Sequence, residues 1–431
     1  MLLLVYSQKN TPRFTYVFKH LFSRILGIDV LFASEIEEFV AHNGPKISYG
    51  KQPLGNELFF QEHGLLSETG IEAIDIQVRS WEDMPIFFAT SEKSAMPFDI
   101  FAASFYLLSR YEEYLPHVKD SKGRYPASES LAYQNNFLET PIIDVWTYKL
   151  KSLLQVTFPN LYFPPRKAKV HNVLSVLRPF AFKQKGFFRS LLAYLEDLAK
   201  FNFKRIGQRT QVLVGARKDP FDTFTWIVNI AKRSKSQLTA FFLLGENEAY
   251  QDSLNTHRTA FKLLVKYLGD YKEVGLLYSA SSLLRYTTLQ SEIKRMEEIT
   301  KRKIAHAKQS YYVVNLPDNY RNLIELEIQR DFTMTYHDTV GFRAGTCTPF
   351  LFYDLDFEIK TPLLLQPIAV TSTAIHDVAV SDAEDTVLNL LKSVQLVKGT
   401  FSMVFSNEDF TSEDKNILWR KLFSETLHEY E

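Results

Sequence analysis

Lys167-Ala-Lys-Val-His-Asn-Val-Leu-Ser-Val-Leu-Arg-Pro-Phe-Ala-Phe-Lys-Gln-Lys-Gly186 decides how the second half of this chain is read. Its apolar run, residues 170–177, has the length of a buried strand. The stretch follows Pro164 and Pro165, and consecutive prolines cannot continue a helix. After it, helix-like and strand-like segments alternate. Such alternation predicts a mainly parallel α/β sheet or barrel. In such folds the chemistry sits just past the C-terminal ends of the strands. Here that end carries Ser175, Leu177, Arg178 and Pro179, with no carboxylate and no glycine-rich turn.

Downstream of residue 177, helices are expected over 188–203, 222–234, 255–268, 281–299 and 317–329. Strands are expected over 237–244, 273–278 and 310–314. Upstream, residues 2–6 read as a strand and 11–22 as a helix with Pro12 in its first turn. A strand at 28–33 and a helix capped by Ser34 complete a βαβ-like beginning. Short strands are expected at 46–49, 57–60, 74–78 and 86–89, and helices at 99–115 and 142–158. Two units follow: an α/β domain over residues 1–165 and a second over 166–431.

The chain has 431 residues, 45% hydrophobic and 23% charged, the balance of a folded globular protein. Fifty basic residues balance 50 acidic ones, so any electrostatic function rests on local patches. The one cysteine, Cys347, excludes an intrachain disulfide. The opening Met-Leu-Leu-Leu-Val-Tyr-Ser is too short an apolar run for a signal segment, and no stretch approaches the ~18 apolar residues of a membrane span. The expectation is a cytoplasmic protein, with the inner membrane face as a variant. No Walker or Gly-x-Gly-x-x-Gly pattern supports nucleotide chemistry. Ser175 lacks the Gly-x-Ser-x-Gly elbow of a serine hydrolase.

Several stretches resemble the polysaccharide-deacetylase-like proteins related to NodB-type carbohydrate esterases. They are Asp331-Phe-Thr-Met-Thr-Tyr336, Gly341-Phe-Arg-Ala-Gly-Thr-Cys-Thr-Pro-Phe350, Phe352-Tyr-Asp-Leu355, Tyr320-Arg-Asn-Leu-Ile-Glu-Leu326 and Gly399-Thr-Phe401. In the first half, Pro97-Phe-Asp-Ile-Phe-Ala-Ala-Ser-Phe-Tyr-Leu-Leu-Ser-Arg-Tyr-Glu-Glu-Tyr114 and Ser128-Glu-Ser-Leu-Ala-Tyr133 resemble the uncharacterised domain that precedes the deacetylase domain in Bacteroidota-type proteins. The resemblance implies a distorted (β/α) barrel after the first domain. It also implies metal-dependent removal of N-acetyl groups, with a carboxylate taking the proton of a metal-bound water.

The chemistry-bearing positions depart from that pattern. Where the family has Asp-Ile-Asp-Asn-Ala, this chain has Ser175, Val176, Leu177, Arg178 and Pro179. Leu277 stands in place of a ligand histidine. Arg-Gln-His becomes Lys308, Gln309 and Ser310, and Trp-His-Asn becomes Phe405, Ser406 and Asn407. Leucine offers a metal no lone pair, and serine is a poor substitute for imidazole or carboxylate. The resulting expectation is a catalytically inactive, deacetylase-like protein with no cofactor. It would bind a glycan, a glycolipid precursor or a partner in cell-surface polysaccharide metabolism. The alternative is an active metal-dependent deacetylase whose site has moved to His337, Asp338 and Asp354. Against it, neighbours on a strand face opposite ways, so His337 and Asp338 would not converge on extended backbone.

A surviving binding groove would use Asp331 and Asp354 as acceptors, Arg343 as a planar donor fork, and Phe350 and Tyr353 as stacking platforms. The competing reading pairs Arg343 with Asp331 or Asp354, merely holding the barrel's loops. His171 reads as a core or surface histidine, and His306 as part of a solvated helix-to-strand turn. Cys347 reads as part of a structural turn rather than as a nucleophile, since no base accompanies it. Finally, residues 178–218 carry ten Lys or Arg against Glu196 and Asp197, interleaved with aromatics. Phe187 to Arg205 reads first as a core-facing barrel helix, and second as a peripheral membrane contact. Nucleic-acid binding has no motif behind it.

Overall fold

In the computed structural model of the chain, residues 2–234, 236–245, 256–376, 378–413 and 416–428 are described, the side chains of 426–428 excepted. The first unit opens with β1 (Leu3–Tyr6), α1 (Pro12–Lys19), β2 (Val30–Ala33), α2 (Ile36–Ala41), β3 (Lys46–Gly50) and β4 (Leu58–Gln61). The four strands form a parallel sheet of order β2-β1-β3-β4. Thr11 caps α1 by accepting the Phe14 N–H at 3.1 Å, and Pro12 fills its first turn as expected. Residues 74–78 do not form the expected strand. Pairing begins afterwards, in a hairpin of β5 (Arg79–Trp81) and β6 (Met84–Ile86). Its turn takes Glu82 and Asp83 to φ of 47° and 61°.

The aromatic content explains this unit's core. Phe18 of α1 stacks on Phe101 of α3 (Ile100–Leu108) at 3.8 Å between ring centres. Every residue of α3 is buried, and its N-cap Asp99 accepts from the Phe101 and Ala102 N–H groups. The expected single helix over 99–115 is broken. Arg110 adopts a left-handed φ of 54° between α3 and the short α4 (Tyr111–Tyr114). α5 (Leu131–Gln134) and α6 (Ile142–Thr157) follow.

The second unit runs β7 (Lys169–Val176), α7 (Phe187–Ala199), α8 (Phe203–Leu213), α9 (Phe224–Arg233), β8 (Gln237–Leu243), α10 (Thr259–Gly269) and β9 (Glu273–Tyr278). It continues with α11 (Ala280–Leu284), α12 (Tyr286–Thr300), β10 (His306–Gln309), α13 (Asp318–Glu325), β11 (Arg330–Asp331), β12 (Phe350–Asp354) and β13 (Ile359–Leu365). β14 (Val370–Thr371), α14 (Val380–Leu396), β15 (Thr400–Ser406) and α15 (Ile417–His428) close it. Asn255, the expected start of α10, lies outside the described residues. The mixed α/β class is as expected. Nine strands lie in the order β12-β13-β11-β10-β9-β8-β7-β15-β14, parallel except for the β12–β13 pair.

β7 lies between β8 and β15 and is buried on both faces, which is why it reads as a near-continuous apolar run. Its alternation sends Leu174 and Val176 to the main core and Val173 to a second cluster with Phe241, Leu243, Leu277, Phe332, Ile368 and Val404. The strand expected at 310–314 falls four residues earlier, as β10. The Gln309 side chain ends it by accepting the Val313 N–H at 3.0 Å, and Tyr312 turns to φ 63°.

The two units share one hydrophobic core. Polar clamps reinforce the junction. Arg13 of α1 pairs with Glu358, and the Tyr16 hydroxyl donates to the Leu351 carbonyl at 2.7 Å. Asp144 of α6 accepts the Thr346 hydroxyl at 2.6 Å and the Cys347 N–H at 3.0 Å. Gly341 permits close approach here: at φ 125°, a Cβ would stand 2.6 Å from the Leu138 carbonyl oxygen.

Candidate functional site

The C-terminal ends of β7, β9, β10 and β15 bring Ser175, Leu277, Ser310 and Ser406 to one end of the sheet. Register places Ser175 beside Ser406 and Leu277 beside Lys308. Leu277, Ser175 and Ser310 are buried. The second apolar cluster fills the space beneath them, with Leu177 packed against it. Phe332 wedges into that cluster, 5.0 Å from the Phe241 ring and 5.1 Å from His171. Asn407, retained from the late motif, is a brace. Its amide donates to the Arg178 and Phe221 carbonyls, both at 3.0 Å.

The five residues expected to line a groove are all buried and committed inside the protein, which corrects that reading. Asp354 accepts both Nε and Nη2 of Arg321, at 2.6 and 2.8 Å. Asp331 accepts the N–H and hydroxyl of Thr333, each at 2.8 Å. Phe350 meets His20 edge-on, and Tyr353 packs on Tyr16 and Phe105 while its hydroxyl donates to Glu358. Arg343 meets Glu113 as a two-point fork, Nε to Oε1 at 2.8 Å and Nη2 to Oε2 at 2.7 Å. Arg110 donates from Nε to the same Glu113 at 2.7 Å, from Nη2 to Glu112 at 2.7 Å, and to the Arg343 carbonyl. Burial alone would raise the Glu113 carboxyl, but the guanidiniums of Arg343 and Arg110 outweigh it and hold it at about 2. The left-handed Arg110 thus serves this network, and it is the reason the expected helix breaks.

The relocated site does not assemble either. Asp338 is exposed in a loop, His337 packs against Tyr312, and Asp354 is bound to Arg321. Among the described residues, no three or more His, Cys, Asp or Glu side chains are grouped to hold a metal. Burial pushes the Cys347 thiol well above its usual range, the opposite of an activated nucleophile.

Sequence reasoning passed over Lys308. It is buried on β10, its Nζ 3.8 Å from the centre of the Tyr312 ring, with Asp331 acting on it electrostatically. Burial pushes the ammonium down to about 7 and pushes Asp331 up to about 7. A cation depressed in the folded state destabilises the fold fully below that value, and the penalty fades as pH rises toward 10.5. Lys308→Met is therefore expected to stabilise the protein at pH 6, where Asp331 is largely neutral, by roughly 1–3 kcal/mol. Urea unfolding at pH 6 and pH 9 checks this. The gain should shrink at the higher pH.

Between β7 and α9 stand α7 and α8, the second of which was not foreseen. Arg209 of α8 ties the two together, donating to Asp197 at 2.6 Å, while the Tyr194 hydroxyl meets Thr210 at 2.8 Å. The apolar stripe of α7 was expected to face the core, and it does not. Phe187 is 77% exposed, Leu192 65% and Leu195 54%, with Phe188, Leu191 and Leu198 also open and Phe201 and Phe203 exposed beyond them. Arg189, Lys200, Lys204, Arg205, Arg217 and Lys218 accompany this face in sequence. No helix among the described residues is long and apolar enough to cross a membrane.

Comparison with known proteins gives two kinds of match. Residues 3–159 match the model of a family of unknown function (DUF7033). Among solved structures, a putative polysaccharide deacetylase from Mycobacterium smegmatis aligns at 11% identity, covering 62% of this chain and 87% of that one, with a TM-score of 0.39. A 7,8-dihydropteroate synthase from Vibrio fischeri ES114 aligns at 11% identity over 61% and 94% of the two chains, TM-score 0.27. The YdjI aldolase from Escherichia coli K12 aligns at 9% identity over 48% and 85%, TM-score 0.25. No curated protein sequence matches.

Proposed function

We propose that the second unit is a distorted, deacetylase-like (β/α) barrel that has lost turnover and acts by binding in cell-surface polysaccharide metabolism. The closing side of the barrel is the stretch between β13 and β14. There the Gln366 N–H reaches the Asp331 carbonyl at 2.9 Å, and the Ala369 N–H reaches the Ser402 carbonyl at 2.9 Å. The observation that carries the loss of turnover is the filled strand end. Leu277 and Leu177, packed on the apolar cluster, stand at the strand ends where a ligand and a base would be needed. The test is an assay of the purified chain, with Zn²⁺ or Co²⁺, on acetylated amino sugars. No acetate release is expected. Release that EDTA abolishes would overturn the reading.

A second observation supports a place of action. The uncovered apolar stripe of α7, with Arg189 in the helix and Lys200, Lys204 and Arg205 just beyond it, has the chemistry of a helix lying on an anionic bilayer. The exposed apolar side chains enter the interface and the lysines and arginines stay with the headgroups. Co-sedimentation with vesicles containing phosphatidylserine is expected at low salt, and much less with neutral vesicles. Equal recovery in the supernatant with both would remove this reading.

A further inference from the structure

Away from the filled strand end, the N-terminal ends of β7, β8, β11 and β15 border a cavity of about 710 Å³ where the two units meet. Five basic residues line it: Arg24 from the first unit, Arg166 and Lys167 from the connecting stretch, Lys169 at the start of β7, and Arg330 at the start of β11. Among the described residues no acidic one lines it. In a chain whose basic and acidic residues balance at 50 each, this is a strong local imbalance. Arg166 is held by the Ile25 carbonyl at 3.2 Å and the Thr348 hydroxyl at 2.6 Å, so neither of its bonds neutralises it. Among the described residues, Arg24, Lys167, Lys169 and Arg330 have no carboxylate within ion-pair distance. Burial and the nearby Arg24 hold the Arg330 guanidinium below the usual arginine range, a sign of charge left uncompensated.

A second cavity of about 570 Å³ shares Gln237 and Arg330 with the first. Its lining is polar and mixed in charge, with His171, Thr239 and His306 beside Asp270, Glu273, Lys272 and Arg302. His171 is buried. Its Nε2 meets the Thr239 hydroxyl at 2.9 Å, and its Nδ1 has no hydrogen-bond partner. The His306 Nδ1 is also without one. Both volumes fall within the ~300–1,000 Å³ usual for small-molecule sites.

We propose that these adjoining cavities bind an organic diphosphate, its phosphates on Arg24, Arg166, Lys167, Lys169 and Arg330 and its polar organic part in the second cavity. Several cations without counter-charge favour more than one phosphate, and arginine forks match phosphate oxygens in two-point contacts. The amide, hydroxyl, carboxylate and guanidinium groups that line the second cavity suit a polar group rather than a hydrocarbon. The site is independent of the filled strand end and of the exposed helices.

Isothermal titration of the full chain with inorganic pyrophosphate, and separately with ADP, tests the proposal. Saturable binding of pyrophosphate is expected, with tighter binding of ADP and weakening as salt rises. Arg24→Met and Arg330→Met are each expected to weaken pyrophosphate at least tenfold. Lys93→Met, at an exposed position of the first unit that lines neither cavity, should leave it unchanged. Arg24 and Lys169 are exposed, so Arg24→Met and Lys169→Met keep the test valid if Arg330→Met does not fold. No binding to the parent chain, or binding that survives these substitutions, overturns the site. ADP no tighter than pyrophosphate overturns the role of the second cavity.

Discussion

Glu113→Ala is expected to cost about 3–5 kcal/mol of stability, the usual penalty for leaving a buried charge without its partner. Here Arg343 loses its carboxylate and Arg110 one of two, Glu112 remaining to it, and both guanidiniums are buried. Arg343→Met should cost a comparable amount, and the double variant less than the sum, because the two side chains share one network. Urea unfolding of the three variants measures this, and additive losses would mean that the fork contributes little. The pH dependence carries a separate signature. The folded Glu113 carboxyl is held at about 2, below its ordinary 4.5. Its stabilisation is therefore complete above about pH 4.5 and is lost as pH falls from there toward 2. Glu113→Gln should flatten that acid limb.

Leu192→Glu/Leu195→Glu is expected to reduce the bound fraction on phosphatidylserine vesicles by tenfold or more. Two carboxylates placed on the apolar stripe oppose both insertion and the negative surface. Both positions are largely exposed, so the unfolding midpoint should scarcely move. Undiminished vesicle binding would separate the stripe from the membrane. Raising salt should weaken the parent as well, because the basic residues act through screened attraction.

What the sequence made legible was periodicity. β7, β8 and β9 fall within about one residue of expectation, as do α6 and the start of α1, because each rests on local alternation or a cap. What it hid was set by distant contacts. The break at Arg110 follows from Glu113 and Arg343, 230 or more residues apart from their partners across the junction. The early end of β10 follows from the reach of the Gln309 side chain. The groove residues carried a true signal of buried polar chemistry, but Asp354 and Arg343 were matched by Arg321 and Glu113, whose proximity no spacing rule announces. The outward face of α7 was equally out of reach, since an amphipathic period reports a stripe and not what covers it.

The clamps between the halves also bear on how the chain is made. Glu113 waits for Arg343, 230 residues later, and Asp144 for Cys347, 203 residues later. At the usual pace of translation those partners emerge roughly ten to fifty seconds afterwards. Throughout that interval Glu113 has Arg110 but not Arg343, and the Asp144 donors from Thr346, Cys347 and Thr348 are not yet made, so the first half's final form must await the ribosome's last third of the message.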